Sequence, residues 1–284
     1  MILVFGKTGQ VATELQRQAD VTAVDRKQAD LSDPHACVEL IQTLRPSIVI
    51  NAAAYTAVDK AETEEPLAHV INADAPGLMA SACAAQDIPF LHLSTDYVFE
   101  GSGETPWTEA DPTNPQNAYG RTKLAGEQAV RASGARHIIL RTSWVFSSHG
   151  KNFVDTMLRL SEIGKELRVV EDQFGGPIPA SDIAATGLTL ATALQNGAVG
   201  GTYHYAGHPY VSWADFARQI FKAAGCKMTV TGIPSSEYQT PANRPMNSRL
   251  DCSKITTDFG IPPADWPSRL GDVIRDLQPG ELPV

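Results

Sequence analysis

The chain has 284 residues, of which 43% are hydrophobic and 19% charged, which suits one large folded core or two moderate ones and excludes a disordered chain. Its formal net charge of −9 argues against nucleic acid or an anionic membrane as partner, because such surfaces are held by surplus Lys and Arg. Cys37, Cys83, Cys226 and Cys252 are widely spaced and form no CxxC, which predicts free thiols in a reducing compartment, not a zinc site or a disulfide framework.

The first predicted strand is ILVF (2–5), an apolar run that stops at Gly6 and is too short for a signal-peptide core. No later apolar stretch reaches the length of a membrane span, so a cytoplasmic location is expected. GKTGQVA (6–12) follows, then a helical pattern over VATELQRQ (11–18). Gly6 suits a tight turn, Gly9 lets the backbone approach a pyrophosphate at a helix start, and Ala12 is small enough for close helix–strand packing. A glycine turn here has a purely structural reading too, but its place between first strand and first helix favours a dinucleotide. The second strand, TAVD (22–25), ends on Asp25, either the acid for ribose hydroxyls or a loop carboxylate. A helix over DPHACVELIQTL (33–44) comes next, with Ser32 or Asp33 as cap and Pro34 in its first turn.

The third strand is SIVIN (47–51), followed by one long helical pattern from Glu64 to Gln86. PFLHLS (89–94) is the fourth strand, and it runs into Ser94-Thr95-Asp96-Tyr97. YGRTKLAGEQAVRAS (119–133) is a helix with Tyr119 and Lys123 four residues apart, hence on one face. An ammonium beside a phenol favours the phenolate, which would tune Tyr119 as a proton donor to an alkoxide. HIILR (137–141) is the fifth strand. Repeated strand–helix alternation with continuously apolar strands predicts an α/β, doubly wound, Rossmann-like parallel sheet, with ligands beyond the carboxyl ends of its strands. There both Ser94 and Thr95 are expected to face the cleft. Beyond residue 145, Pro and Gly become frequent, and a smaller α/β substrate-binding lobe is expected. The dinucleotide-binding part is placed at 1–146 and 167–206, and the lobe at 147–166 and 207–284.

A hydroxyl at the end of strand four, YxxxK downstream and GxxGxx upstream resemble the extended short-chain dehydrogenases/reductases. FGKTGQV, NAAAYTAVDKAE, STDYVF, PWTEAD, NAYGRTKLAGE, RTSWVF and NRPMNSRLD, in that order, resemble the dTDP-4-dehydrorhamnose reductase family over essentially the whole chain. The resemblance implies NAD(P)H-dependent reduction of the C4 ketone of dTDP-4-dehydro-L-rhamnose, the last step to dTDP-L-rhamnose for cell-surface polysaccharide. It makes Tyr119 the proton donor, Lys123 the ribose holder and Thr95 the group on the reacting oxygen. Gly9, Gln10 and Val11 then line the pyrophosphate, with Gly6 in the cofactor-binding turn before them. Asp25, Asp30 and Leu31 approach the adenosine end, and Ala54, Tyr55 and Thr56 flank the cofactor. On the nucleotide-sugar side stand Thr95, Asp96, Trp144, Asn152 and Arg244.

Several readings stay open. Trp144 has ordinary core packing as its alternative, Asp30 a solvated turn acid, and Arg244 and Arg249 each a surface ion pair instead of a diphosphate clamp. In VDRK (24–27), Asp25 suits NADH while Arg26 suits the 2′-phosphate of NADPH, so both cofactors are expected, with NADPH preferred. Related dehydratases carry Thr-Asp-Glu where this chain has Thr95-Asp96-Tyr97, which favours reduction over loss of water. Some family members form a magnesium-bridged dimer. Glu14 matches one carboxylate position, but GAVGGTY (197–203) has no acid where another is expected. No metal site is therefore assigned, and a monomer or a homodimer is equally in keeping. A non-catalytic subunit of the methionine adenosyltransferase regulatory type and a nucleotide-sugar 4-epimerase are the alternative functions.

Overall fold

The computed structural model describes residues 1–278. Its first half runs β1 (Ile2–Phe5), α1 (Gln10–Gln18), β2 (Val21–Val24), α2 (Pro34–Leu44), β3 (Ile48–Asn51), α3 (Val58–Ala61), α4 (Glu65–His69), α5 (Ala75–Ala84), β4 (Phe90–Thr95), α6 (Ala118–Ala132) and β5 (His137–Thr142). With Gly201–His204 these strands make one six-stranded sheet, in the order Gly201–His204, β5, β4, β3, β1, β2, and every pairing is parallel.

Strand alternation divides the core in two. Val4, Ile48, Ile50, Leu91 and Leu140 face α1 and the helix Ala180–Gln195. Leu3, Phe5, Val49, Phe90 and Ile139 face α2 and α5. Burial on both faces is why the strands read as unbroken apolar runs rather than alternating ones. Chain direction across the sheet reverses between β1 and β3, and a crevice at their carboxyl ends follows from that topology.

Asp33 caps α2, its side chain accepting from the Ala36 amide, with Pro34 as the first helical residue. The single helix expected over Glu64–Gln86 is interrupted. A π turn at Val70–Asp74 separates α4 from α5. Fully buried Asn72 sits in it, its amide oxygen accepting from Tyr55 N at 2.8 Å and its nitrogen donating to Thr122 Oγ1 at 3.1 Å. Hydrophobic periodicity cannot show one extra residue in a turn when both flanks stay apolar.

The smaller lobe has its own core of Phe146, Val154, Met157, Phe216, Ile220, Trp266 and Ile274. The boundary expected at 167 is corrected here. Glu166–Val170 pairs in parallel with Thr229–Ile233, and Phe174–Gly175 pairs with Val211–Ser212 and Asn247–Ser248, so 166–175 packs with the lobe. The main sheet is complete without this segment, and the chain returns to it only with Ala180–Gln195, which packs on α1. No helix of the described residues is long and apolar enough to cross a membrane.

Candidate active site

β1 hands the chain to Gly6, whose φ of +102° is a left-handed conformation, and a side chain there would meet Ala53 N at 2.9 Å. The amides of Gly6 and Lys7 donate to Val24 O, and Gly9 N donates to Gly6 O at 2.8 Å, which fixes the turn against β2. Gly9 is the N-cap of α1 and has no side chain over the helix start, leaving its amides open to an anion.

This turn forms one wall of a cleft of about 430 Å³. Gly6, Gly9, Gln10 and Val11 line it from the first turn, Asp25, Arg26, Asp30 and Leu31 from beyond β2, and Ala54 and Thr56 from beyond β3. Tyr55 is not among its walls: its hydroxyl donates to Glu64 Oε2 at 2.7 Å. Asp25 Oδ1 accepts from Lys27 N at 2.9 Å and Asp30 Oδ1 from Ser32 N at 2.9 Å, so each acid also shapes its own loop. Lys7 and Lys151 line the same cleft, and neither was singled out from the sequence. Lys7 lies inside the glycine motif and was findable; Lys151 comes from far along the chain and carries no local signal. A glycine turn at a helix start with Lys7, Arg26 and Lys151 around it fits a phosphorylated dinucleotide. A wider hollow beside Arg45 and Gln86 lies at the opposite, amino-terminal ends of β3 and β4, away from every motif.

At the carboxyl end of β4, Thr95 is buried and its hydroxyl donates to Asp96 Oδ1 at 3.1 Å. α6 arrives beside it, capped by Asn117, whose side chain accepts from Gly120 N at 2.8 Å. A Cβ at Gly120 would lie 2.2 Å from Tyr97 O, so only glycine allows this close approach. Tyr119 then meets the Tyr97 ring edge-on, with centroids 5.5 Å apart.

Tyr119 keeps part of its ring exposed while protein closes around its hydroxyl. Burial pushes its pKa up to about 12, the Thr95 hydroxyl acting downward and the Asp96 charge upward. The direct lysine effect expected from the sequence is corrected here. Lys123 Nζ instead donates to Leu93 O at 2.7 Å and lies 3.3 Å from His92 Nε2. Burial holds Lys123 down to about 8, against the pull of Glu127.

Ser94 also departs from expectation. Successive strand residues point to opposite faces, so Thr95 turns its hydroxyl to Asp96 while Ser94 donates to Glu127 Oε1 at 2.6 Å. Asn152 spends its side chain on the helix Phe153–Ile163, accepting from Val154 N and Asp155 N and donating to Ser147 O. Arg244 makes a bidentate pair with Asp59 at 2.9 and 2.7 Å, the ion-pair alternative, and Arg249 lies over the Phe174 ring. Trp144 has φ +48° and stacks on Trp213 with centroids 3.5 Å apart, half-buried at the junction with the lobe. Glu14 is engaged by His149 Nε2 at 2.8 Å and lies 3.8 Å from Arg17, and among the described residues no three His, Cys, Asp or Glu side chains gather as a metal site.

Two buried side-chain oxygens among the described residues lack a hydrogen-bond partner, Asp96 Oδ2 and Thr142 Oγ1. Thr142 is the register partner of Thr95 across β4 and β5, so both orphans belong to this end of the sheet. Burial raises the Asp96 pKa to about 6, with Ser248 and Thr95 acting in the opposite sense. Orphaned buried oxygens need a ligand or water to satisfy them.

A parallel doubly wound sheet with a glycine-turn cleft at its switch point, Thr95 at the end of β4 and Tyr119 and Lys123 on α6 beside it, defines a nucleotide-cofactor enzyme of the short-chain dehydrogenase/reductase type. The chain belongs to the RmlD substrate binding domain family, whose model matches residues 1–278. It is 41% identical to dTDP-4-dehydrorhamnose reductase of Escherichia coli K12 over 292 residues, covering 97% of both chains. It is 42% identical to the Salmonella typhimurium LT2 protein of that name, covering 93% of this chain and 94% of that one. Among solved structures, Bacillus anthracis dTDP-4-dehydrorhamnose reductase in complex with NADP superposes with a TM-score of 0.91 at 33% identity, covering 96% of this chain and 97% of that one.

Proposed function

We propose that this protein reduces the C4 ketone of dTDP-4-dehydro-L-rhamnose to dTDP-L-rhamnose with NADPH as preferred cofactor and NADH as an accepted one. The observation that carries the reading is the meeting of Thr95 and Tyr119 beyond β4, above Lys123, in a chain so similar to reductases of that name.

When bound, the nicotinamide supplies hydride to the ketone carbon. Tyr119, fully protonated near neutral pH, gives its phenolic proton to the ketone oxygen, so the product leaves as an alcohol. Thr95 holds that oxygen, and Asp96 Oδ2 accepts from a sugar hydroxyl. Lys123, anchored on Leu93 O, would hold the ribose of the bound cofactor beside Tyr119. Tyr97 stands where an elimination would need a second acid, and a ketone reduction needs none. The buried thiols Cys37, Cys83 and Cys252, none in a disulfide, support work in the cytoplasm.

The test mixes protein, NADPH and dTDP-4-dehydro-L-rhamnose, follows loss of reduced nicotinamide, and identifies the sugar by NMR. One NADPH consumed per dTDP-L-rhamnose formed supports the reading. An unchanged NADPH pool would point to an epimerase or to a binding module.

A further inference from the structure

Beneath Lys123 lies a row of buried polar groups of which the mechanism above uses only the lysine. Asn51, His92 and Lys123 are 0%, 0% and 2% exposed. Asn51 Oδ1 accepts from Ala53 N at 3.1 Å, which orients the amide, so its nitrogen is the atom that faces His92 Nδ1 at 3.2 Å. An amide nitrogen only donates. His92 Nδ1 must therefore be unprotonated, and the ring is neutral with its proton on Nε2. That Nε2–H points at Lys123 Nζ, 3.3 Å away.

An N–H aimed at an ammonium is a donor facing a donor; aimed at an uncharged amine it is a hydrogen bond. We propose that His92, oriented by Asn51, is a positioning residue that sets the proton on Lys123, biasing the buried amine toward its neutral form. The inference rests on the reading of Tyr119 and Lys123 given above and assigns a task to a strand residue that touches neither cofactor nor substrate. No proton passes through His92, since the Asn51 amide has none to supply. Its effect is to keep the lysine exchangeable near neutral pH, where a permanently charged ammonium would hold its proton through the cycle.

The charged and titratable groups around the pair do not cancel this bias. Glu127, on α6 with Lys123, favours the ammonium, and His137 on β5 and Lys123 itself both disfavour an imidazolium at His92. Burial acts in the same direction on both groups: it holds His92 well below the usual histidine range and holds Lys123 below the usual lysine range.

Long-range ¹H–¹⁵N spectra of histidine-labelled protein, with His92 assigned by its loss in His92→Leu, read the tautomer directly. The expected state is neutral Nε2–H from about pH 5 to about pH 9; an Nδ1–H tautomer or an imidazolium overturns the proposal. The Lys123 ¹³Cε shift then reports the lysine titration without any turnover. Its midpoint should move up by ~1 pH unit or more in His92→Leu. It should also rise in Asn51→Asp, where a carboxylate draws the proton to Nδ1 and leaves Nε2 as an acceptor. An unmoved midpoint in both variants overturns the proposal. The alkaline limb of kcat/KM should follow the midpoint. If the midpoint moves and the limb does not, the role given to Lys123 in catalysis fails while the control of its proton stands.

Discussion

Asp96 is a buried carboxylate, only 3% exposed, whose Oδ2 makes no hydrogen bond although the Ser248 and Thr95 hydroxyls act on the group. Its folded pKa of about 6 lies above the ordinary aspartate value, so the folded state binds the proton more tightly. Stability contributed by this group is therefore present in acid and declines as pH rises from about 4 to about 6. Asp96→Asn should raise stability at neutral pH by up to about 3 kcal/mol and by little at pH ~4, while KM for the nucleotide-sugar increases; urea unfolding at the two pH values checks it. Tyr119→Phe removes the proton and keeps the ring, so kcat should fall at least ~10²-fold with NADPH affinity retained in a titration. Arg26 is exposed on the wall of the cofactor cleft. Arg26→Ala should weaken NADPH about tenfold or more, the scale of one charge-assisted hydrogen bond, and leave NADH nearly unchanged. Equal losses for both cofactors would place the preference elsewhere.

α6 does more than present Tyr119 and Lys123. Its next turn supplies Glu127, fully buried, which accepts from Arg141 Nε at 2.8 Å and Nη2 at 2.7 Å, from Ser94 at 2.6 Å and from Arg131 at 2.7 Å. Burial works against this carboxylate, yet Arg141, Ser94 and Arg131 together hold its pKa below the usual range. A depressed carboxylate contributes stability above its unfolded value, lost as pH falls through the lower folded value. Glu127→Ala leaves Arg141 buried and unpaired, and breaking such a pair costs about 3–5 kcal/mol. Chemical denaturation at neutral pH should show that loss, and it should shrink in acid. The YxxxK spacing of this helix was legible because a four-residue repeat always shares a face. Its ion pairs were not: Glu127 and Arg141 meet only because α6 crosses β5, and neither letter marks its partner.

The two lobes meet around Trp144, which stacks on Trp213 at the start of the lobe helix Trp213–Ala223. Gly175 packs on the indole, where a Cβ would come within 2.6 Å of it. The stack is the core packing left open from sequence, and the proposed sugar contact would fall on the part of the ring left uncovered at the junction. Trp144→Ala should raise KM for the nucleotide-sugar through a loss of ~1–3 kcal/mol, lower Tm as the stack is lost, and leave NADPH affinity unchanged. Calorimetry of the apo protein and separate titrations of the two ligands distinguish these effects. A parallel fall in NADPH affinity would mean that the stack holds the whole cleft in shape.

The sequence by itself determined five of the six sheet strands to within a residue, the glycine turn, and the order in which Thr95, Tyr119 and Lys123 follow one another; the edge strand Gly201–His204 was not read from it. Each of these depends on interactions local in the chain: apolar runs buried on two faces, a φ only glycine adopts readily, and helical periodicity. What reaches across the fold was decided by the tertiary structure alone. Ser94 turns to Glu127 and not to the cleft, Arg244 is taken by Asp59, Asn152 by a helix end, and 166–175 by the lobe. The lysine that spacing places beside a phenol is held by Leu93 and His92 instead. A hydrogen-bonding side chain has many possible partners in the linear chain, and packing selects among them; most buried polar groups find one, while Asp96 Oδ2 is buried without one.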